Sequence, residues 1–152
     1  MMKLLNLGVA LILFLLGPAE GRAEDYRQYL PPIEESRAYQ QYTLRPKTEL
    51  SKLLYLMDRF RDSKFEVIFD GTTYTSQKAV NFAKSYIAEH YDDEEAKQWV
   101  KQNAYRSITR GEVIYVKDPK GKRHQAKDVL LEELTLLEKN DKTSEAEREA
   151  KE

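Results

Sequence analysis

The chain has 152 residues, with 25 Lys or Arg against 26 Asp or Glu, a formal net charge of −1, 41% hydrophobic residues and no cysteine. A near-neutral chain of this size is one ordinary domain able to bury its own core, and its balance of charge argues against nucleic acid as a partner. The absence of cysteine excludes thiol nucleophiles, redox pairs, disulfide frameworks and cysteine-based zinc sites.

At the N-terminus, Met1-Met2-Lys3 precedes an apolar run over residues 4–16, interrupted by Asn6 and Gly8, and then Gly17-Pro18 and Gly21-Arg22-Ala23. This order of charge, apolar stretch and small residues is that of a secretory signal. The run falls short of the roughly 20 residues a bilayer span needs. A cut before Glu24 leaves 23 basic and 25 acidic side chains, with no cysteine after the run to carry a lipid. The expected product is exported, periplasmic or secreted, with no membrane span after signal cleavage.

Residues 24–47 are aperiodic, with Pro31-Pro32, Pro46 and the tyrosines Tyr26, Tyr29, Tyr39 and Tyr42. They read as an extended or partly helical lead-in that ends near Pro46, ahead of a single domain over 48–140. Its tyrosines suit two roles equally: contacting a partner, or lying back across the domain.

Thr48 caps a helix with Leu50, Leu53, Leu54, Met57 and Phe60 on one face and Lys52, Asp58, Arg59 and Arg61 in water. Residues 65–69 form a strand, Asp70-Gly71 a tight turn and residues 72–74 the return. Ser76 then caps a second helix that ends near His90, with Ala79, Phe82, Ala83, Tyr86 and Ile87 facing inward. Asp92 and Asp93 open a third helix, with Ala96, Trp99, Val100 and Asn103 on one side.

After Gly111, residues 112–116 make a strand, Asp118-Pro119-Lys120-Gly121 a turn and residues 123–125 a polar return, giving a second hairpin. A fourth helix over 126–140 buries Val129, Leu130, Leu134 and Leu137, and residues 141–152 form a charged, frayed tail. The predicted fold class is therefore α+β, about four helices around two β-hairpins. Glu66-Val67-Ile68-Phe69 and Glu112-Val113-Ile114-Tyr115 lie 46 residues apart, which suggests a duplicated helix-hairpin-helix unit whose hairpins pair about a pseudo-twofold.

No residue set meets the standard of a catalytic or metal site, and no cofactor is expected. His90 suits a helix C-terminus, and His124 sits among Lys122, Arg123 and Lys127, where positive charge opposes a cation. Asp92-Asp93-Glu94-Glu95 lacks the spacing of a calcium loop. Glu132 and Glu133 are adjacent on a helix and cannot flank one bond as an acid/base pair. A hydrolytic site combining Ser107, His124 and an acid such as Asp128 is the alternative reading, although no Gly-x-Ser-x-Gly elbow surrounds any serine.

Charge placement points to binding. Nine Lys or Arg face two acids between Lys97 and Lys127, whereas nine acids face four bases from Asp128 onward. The candidate contact residues are Arg106, Ser107, Arg110, Lys120, Lys122 and Arg123, with Asp70, Gly71, Gly111 and Gly121 as structural turns. The expected partner is an unknown protein or an anionic envelope component.

The run over 65–74 with its Asp70-Gly71 turn and Ala79 helix, the Glu95-Ala96-x-x-Trp99-Val100 helix, and Ala104-x-Arg106-Ser107 leading to Gly111 together resemble a small exported bacterial family of unknown function, the DUF 5329 type. The likeness spans about residues 48–138. It implies export and a similar fold, and no known reaction, ligand or partner. The chain departs from that family at Phe82-Ala83, where the family has His-Leu, and at Val113-Ile114, where it has Pro-Tyr. The leading expectation is a non-enzymatic, envelope-associated interaction or binding domain.

Overall fold

The computed structural model describes residues 23–152, so the predicted signal, apart from Ala23, lies outside the described residues. Two short 3-10 turns, Ala23–Tyr29 and Ile33–Glu35, lead into α1 (Arg37–Thr43) and α2 (Glu49–Arg61). A first hairpin, β1 (Glu66–Phe69) and β2 (Thr72–Thr75), runs directly into α3 (Ser76–His90). After α4 (Ala96–Asn103), the second hairpin, β3 (Tyr115–Lys117) and β4 (Arg123–Gln125), runs directly into α5 (Ala126–Glu149). The class is α+β, with five α-helices rather than four among the described residues.

The two hairpins join through β1 and β3 into one antiparallel sheet of order β2-β1-β3-β4. Tyr74, Val67, Val116 and His124 are successive register partners across it and so share one face. Val116 and His124 are buried there, and Val67 packs against the core. The opposite face carries the register pair Glu66 and Lys117, joined by a 3.2 Å ion pair, with the Arg123 guanidinium over the Tyr115 ring. α3 covers the first hairpin and α5 the second, while α2 packs against α1, α3, α4 and α5.

Corresponding points of the two hairpin-helix units are 49 residues apart on the first strand (Glu66 to Tyr115) and 50 on the second (Thr75 to Gln125). The likeness spaced at 46 is therefore not a structural equivalence. Residues 112–114 also leave the sheet: Val113 makes an isolated bridge with Arg106, and Ile114 donates its N–H to the Tyr105 carbonyl at 3.0 Å. The predicted strand over 112–116 thus serves two partners in turn.

Helix α2 begins where Thr48 predicts, its hydroxyl accepting the Ser51 N–H. Its polar side is not all in water. Arg59 is buried beside Tyr55 and Leu56 because α2 is central and has helices on several sides, which a single-face reading does not anticipate. Leu50, predicted inward, is exposed. In α3 the cap is Thr75 rather than Ser76, accepting the Lys78 N–H at 3.3 Å.

Helix α4 starts at Ala96 and not at the acids. Asp93 takes a positive φ of 57°, which breaks the helix, and Glu95 makes no side-chain cap. The cap comes from another element: Glu49, on the first turn of α2, accepts the Ala96 N–H at 2.8 Å. Helix α5 continues to Glu149 through the predicted frayed tail. No Gly or Pro interrupts it, and Tyr42 to Asp141 (2.6 Å) and Lys47 to Glu145 (3.4 Å) hold it against the N-terminal segment.

The N-terminal segment is part of the core. Tyr26 and Tyr42 are fully enclosed, Leu30 and Ala38 are buried, and Tyr29 and Tyr39 pack against them. Of the two roles open to these tyrosines, the structure shows packing.

Tyr26 also reaches a buried charge. Glu133 is completely enclosed, and its two carboxylate oxygens accept from Tyr26 Oη at 2.9 Å and Arg59 Nε at 3.1 Å. Arg59 on α2, Glu133 on α5 and Tyr26 thus tie three segments together. No described helix is long and apolar enough to cross a membrane.

Candidate functional site

Between the inner face of the sheet and helices α2 to α5 lies a cavity of about 540 Å³. Val67, Phe69 and Val116 form its floor, Met57 and Phe60 of α2 one wall, and Ala79, Phe82, Ala83 and Tyr86 of α3 the other. Trp99 and the loop after α4 close its end. The volume is in the ~300–1,000 Å³ range of small-molecule sites.

The residues of α3 explain why the space exists. Ile87 is buried in the core, while Val80, buried as well, lines the cavity together with the stripe of Ala79, Phe82, Ala83 and Tyr86. That stripe was predicted to face the core. Ala83 and Tyr86 do pack against it, the small alanines leave room beside it, and Phe82 remains 61% exposed. Ile108, on the loop after α4, is 76% exposed and also lines the cavity, so the mouth lies between two uncovered apolar side chains.

Three of the polar side chains along the cavity, Tyr86, Asn103 and Ser76, are engaged with protein partners. Tyr86 Oη donates to Asn103 Oδ1 at 3.3 Å, and Asn103 Nδ2 donates to the Trp99 carbonyl at 2.9 Å. Ser76 Oγ lies 3.0 Å from Ser63 Oγ. An occupant of the interior therefore meets apolar walls with few uncommitted donors or acceptors.

One group of the predicted site residues is brought together at the rim. Ser107, buried in the loop after α4, donates its hydroxyl to the Asp70 carboxylate in the first hairpin turn and accepts the Arg110 N–H at 3.2 Å. Its backbone bonds to Glu112 and Gly111 close the loop on itself. Asp70 and Gly71 take φ values of 49° and 77°, the paired left-handed conformation of a two-residue hairpin turn, so the turn that sequence marks also anchors the loop. Gly111, at φ 68°, turns its carbonyl to accept from Arg106 Nη1 at 2.9 Å. Arg106 also stacks on Tyr105, with its guanidinium 4.8 Å from the ring centroid, and Lys127 lies 4.2 Å from the same ring.

The second group sits on the other hairpin. Lys120, Lys122 and Gly121 form its turn, and Arg123 opens β4. Asp118 organises that turn, its Oδ1 accepting the N–H groups of Lys120 (2.9 Å) and Lys122 (3.0 Å). Lys122 pairs with Asp25 at 2.8 Å, which ties part of the predicted basic surface to the N-terminal segment. His124 is buried beside Tyr26, with Nε2 3.0 Å from Asp118 Oδ2. Burial opposes ionisation of Asp118, but the His124 contact and the two turn N–H groups outweigh it and hold the carboxyl below its usual range.

Ser107 and His124 are thus not assembled into one site. The acid at Ser107 is Asp70, and the acid at His124 is Asp118 rather than Asp128. His90 ends α3 stacked on Tyr86, 4.5 Å between ring centroids. Among the described residues no group of three or more acids and histidines is placed to hold a metal ion. The cavity itself went unseen in the sequence, whose only hint was the excess of apolar residues along α3. Compared with known proteins, the chain matches no family model, no curated protein and no solved structure.

Proposed function

We propose that the protein is a non-enzymatic binding domain whose site is the cavity between the sheet and α3. The observation that carries this reading is an apolar space of about 540 Å³ whose mouth is bordered by exposed Phe82 and Ile108. An exposed apolar face of this kind favours occupation, because burying it against a ligand removes it from water at about 25 cal/mol per Å². Export and kinship with the family of unknown function remain part of the proposal, supported by the N-terminal pattern and the Ala104-x-Arg106-Ser107 stretch.

The test is titration of the purified protein with a neutral naphthylamine dye that fluoresces when taken out of water. Saturable binding at one site is expected, weakened at least tenfold by Ala83→Phe, which fills the cavity from the α3 wall. Absence of saturable binding, or affinity unchanged by Ala83→Phe in a folded variant, overturns the proposal.

A further inference from the structure

Resting on the cavity as the binding site, we infer that its ligand is a single-chain amphiphile with an anionic end, the chain lying in the cavity and the end held at the rim by Arg106. Three features lead to this class. The first is size: about 540 Å³ lies inside the ~300–1,000 Å³ range of sites that take one small molecule, and it has room for a medium-length alkyl chain.

The second is the polarity of the walls. The interior polar groups of Tyr86, Asn103 and Ser76 are engaged with protein partners, as is the Ser107 hydroxyl at the rim. A ligand body rich in donors or acceptors would enter unsatisfied, whereas a hydrocarbon body makes no such demand.

The third is the rim. Arg106 is an exposed guanidinium that lines the cavity and makes no ion pair among the described residues. It uses Nη1 on the Gly111 carbonyl and Nη2 on Tyr105 Oη, so the remaining N–H groups of its fork are open to a planar anion. The bond to Gly111 and the stacking on Tyr105 hold the fork in place, which lowers the entropic cost of receiving a carboxylate. Lys127, on the other contact to Tyr105, adds a second positive charge. Two carboxylates oppose this field: Asp70, whose Oδ1 is engaged by Ser107, and Asp128, whose Oδ1 lies 3.9 Å from Lys127 Nζ. Of the nine bases between Lys97 and Lys127, Arg106 thus stands at one end of an apolar site with Lys127 beside it.

The experiment compares dodecanoate with dodecanol as competitors of the neutral dye, on the wild type and on Arg106→Gln and Arg106→Lys. Dodecanoate should bind at least tenfold more tightly than dodecanol to the wild type, a difference of the size given by one hydrogen-bonded charge pair. Arg106→Gln should erase that preference, bringing dodecanoate to the affinity of dodecanol on the same variant, and Arg106→Lys should retain part of it. Dodecanoate and dodecanol binding equally, with neither sensitive to Arg106, overturns the anionic end and leaves the cavity reading standing. Failure of the dye and both competitors to bind overturns the cavity reading and this inference together.

Discussion

Removing only the acid of the buried Arg59–Glu133 pair should cost far more than removing both partners. Glu133 has no exposed surface and the Arg59 side chain is 4% exposed, so solvent cannot take over from a lost partner. In Glu133→Leu the Arg59 charge stays buried without its counter-ion, at about 3–5 kcal/mol. The Tyr26 hydroxyl also loses its 2.9 Å acceptor and keeps only a 3.4 Å contact to the Val129 carbonyl, which adds about 1 kcal/mol.

A total of about 4–6 kcal/mol is a large share of the ~5–15 kcal/mol that holds a small domain folded. In the double variant Arg59→Met/Glu133→Leu no charge is stranded. Arg59 Nη1 and Tyr55 Oη are already buried without a partner among the described residues, so an apolar replacement removes a defect as well as a bond. The double variant should stay within about 1–2 kcal/mol of the wild type. Urea unfolding followed by circular dichroism separates the two: with a slope of ~1–3 kcal/mol per M, the single variant should lose about 2 M in midpoint and the double less than about 1 M. Equal losses in the two variants, or a single-variant loss below about 1 kcal/mol, would refute the argument that the penalty comes from the unpaired charge.

The pH dependence of stability follows from the same buried groups. Tyr26, Tyr42 and Tyr55 are raised above the ordinary tyrosine range, first by burial, then by Glu133 for Tyr26 and by Asp141 for Tyr42, while Arg59 partly offsets burial at Tyr55. The folded protein keeps these protons where the unfolded chain releases them. Their contribution is therefore complete below about pH 10 and is lost above it, by at most ~1.4 kcal/mol per pH unit for each tyrosine. Asp118 and Glu49 are lowered despite burial, by the His124 contact and turn N–H groups for the former and by Lys52 and the Ala96 N–H for the latter, so their contribution is lost as pH falls below about 4. Thermal unfolding across pH checks both limbs, and stability undiminished at about pH 11 would contradict the enclosure of the tyrosines. Glu49→Ala should cost about 1 kcal/mol and speed amide exchange at the start of α4, whereas Glu95→Ala should do neither; equal effects would show that α4 is capped locally.

The parts of the fold that were legible in sequence are those set by neighbours in the chain. The Asp70-Gly71 turn, the Thr48 cap and the direct passage from hairpin to helix at Ser76 and Ala126 need only a few adjacent residues to specify them. What was illegible depends on residues brought from far away. Helix α4 begins where Glu49 supplies a cap from 47 positions earlier, so the acids at 92–95, a better local start, remain a loop. Arg59 reads as a solvated charge until Glu133 is placed 74 positions away to receive it.

The candidate site was illegible for a related reason. Periodicity says that a stripe of α3 is apolar and says nothing about what the stripe faces. Ala79, Phe82, Ala83 and Tyr86 satisfy the pattern of a core face, and Ala83 and Tyr86 do pack against the core, yet all four also line the cavity and Phe82 is exposed at its mouth. The rim could be half-read, because Arg106, Ser107 and Gly111 stand close together in the chain. Their attachment to Asp70, 37 positions before Ser107, is what turns a loop of basic and polar residues into the edge of a cavity. If a ligand is bound there, Arg106 and an apolar helix face that looked unrelated in sequence are parts of one site.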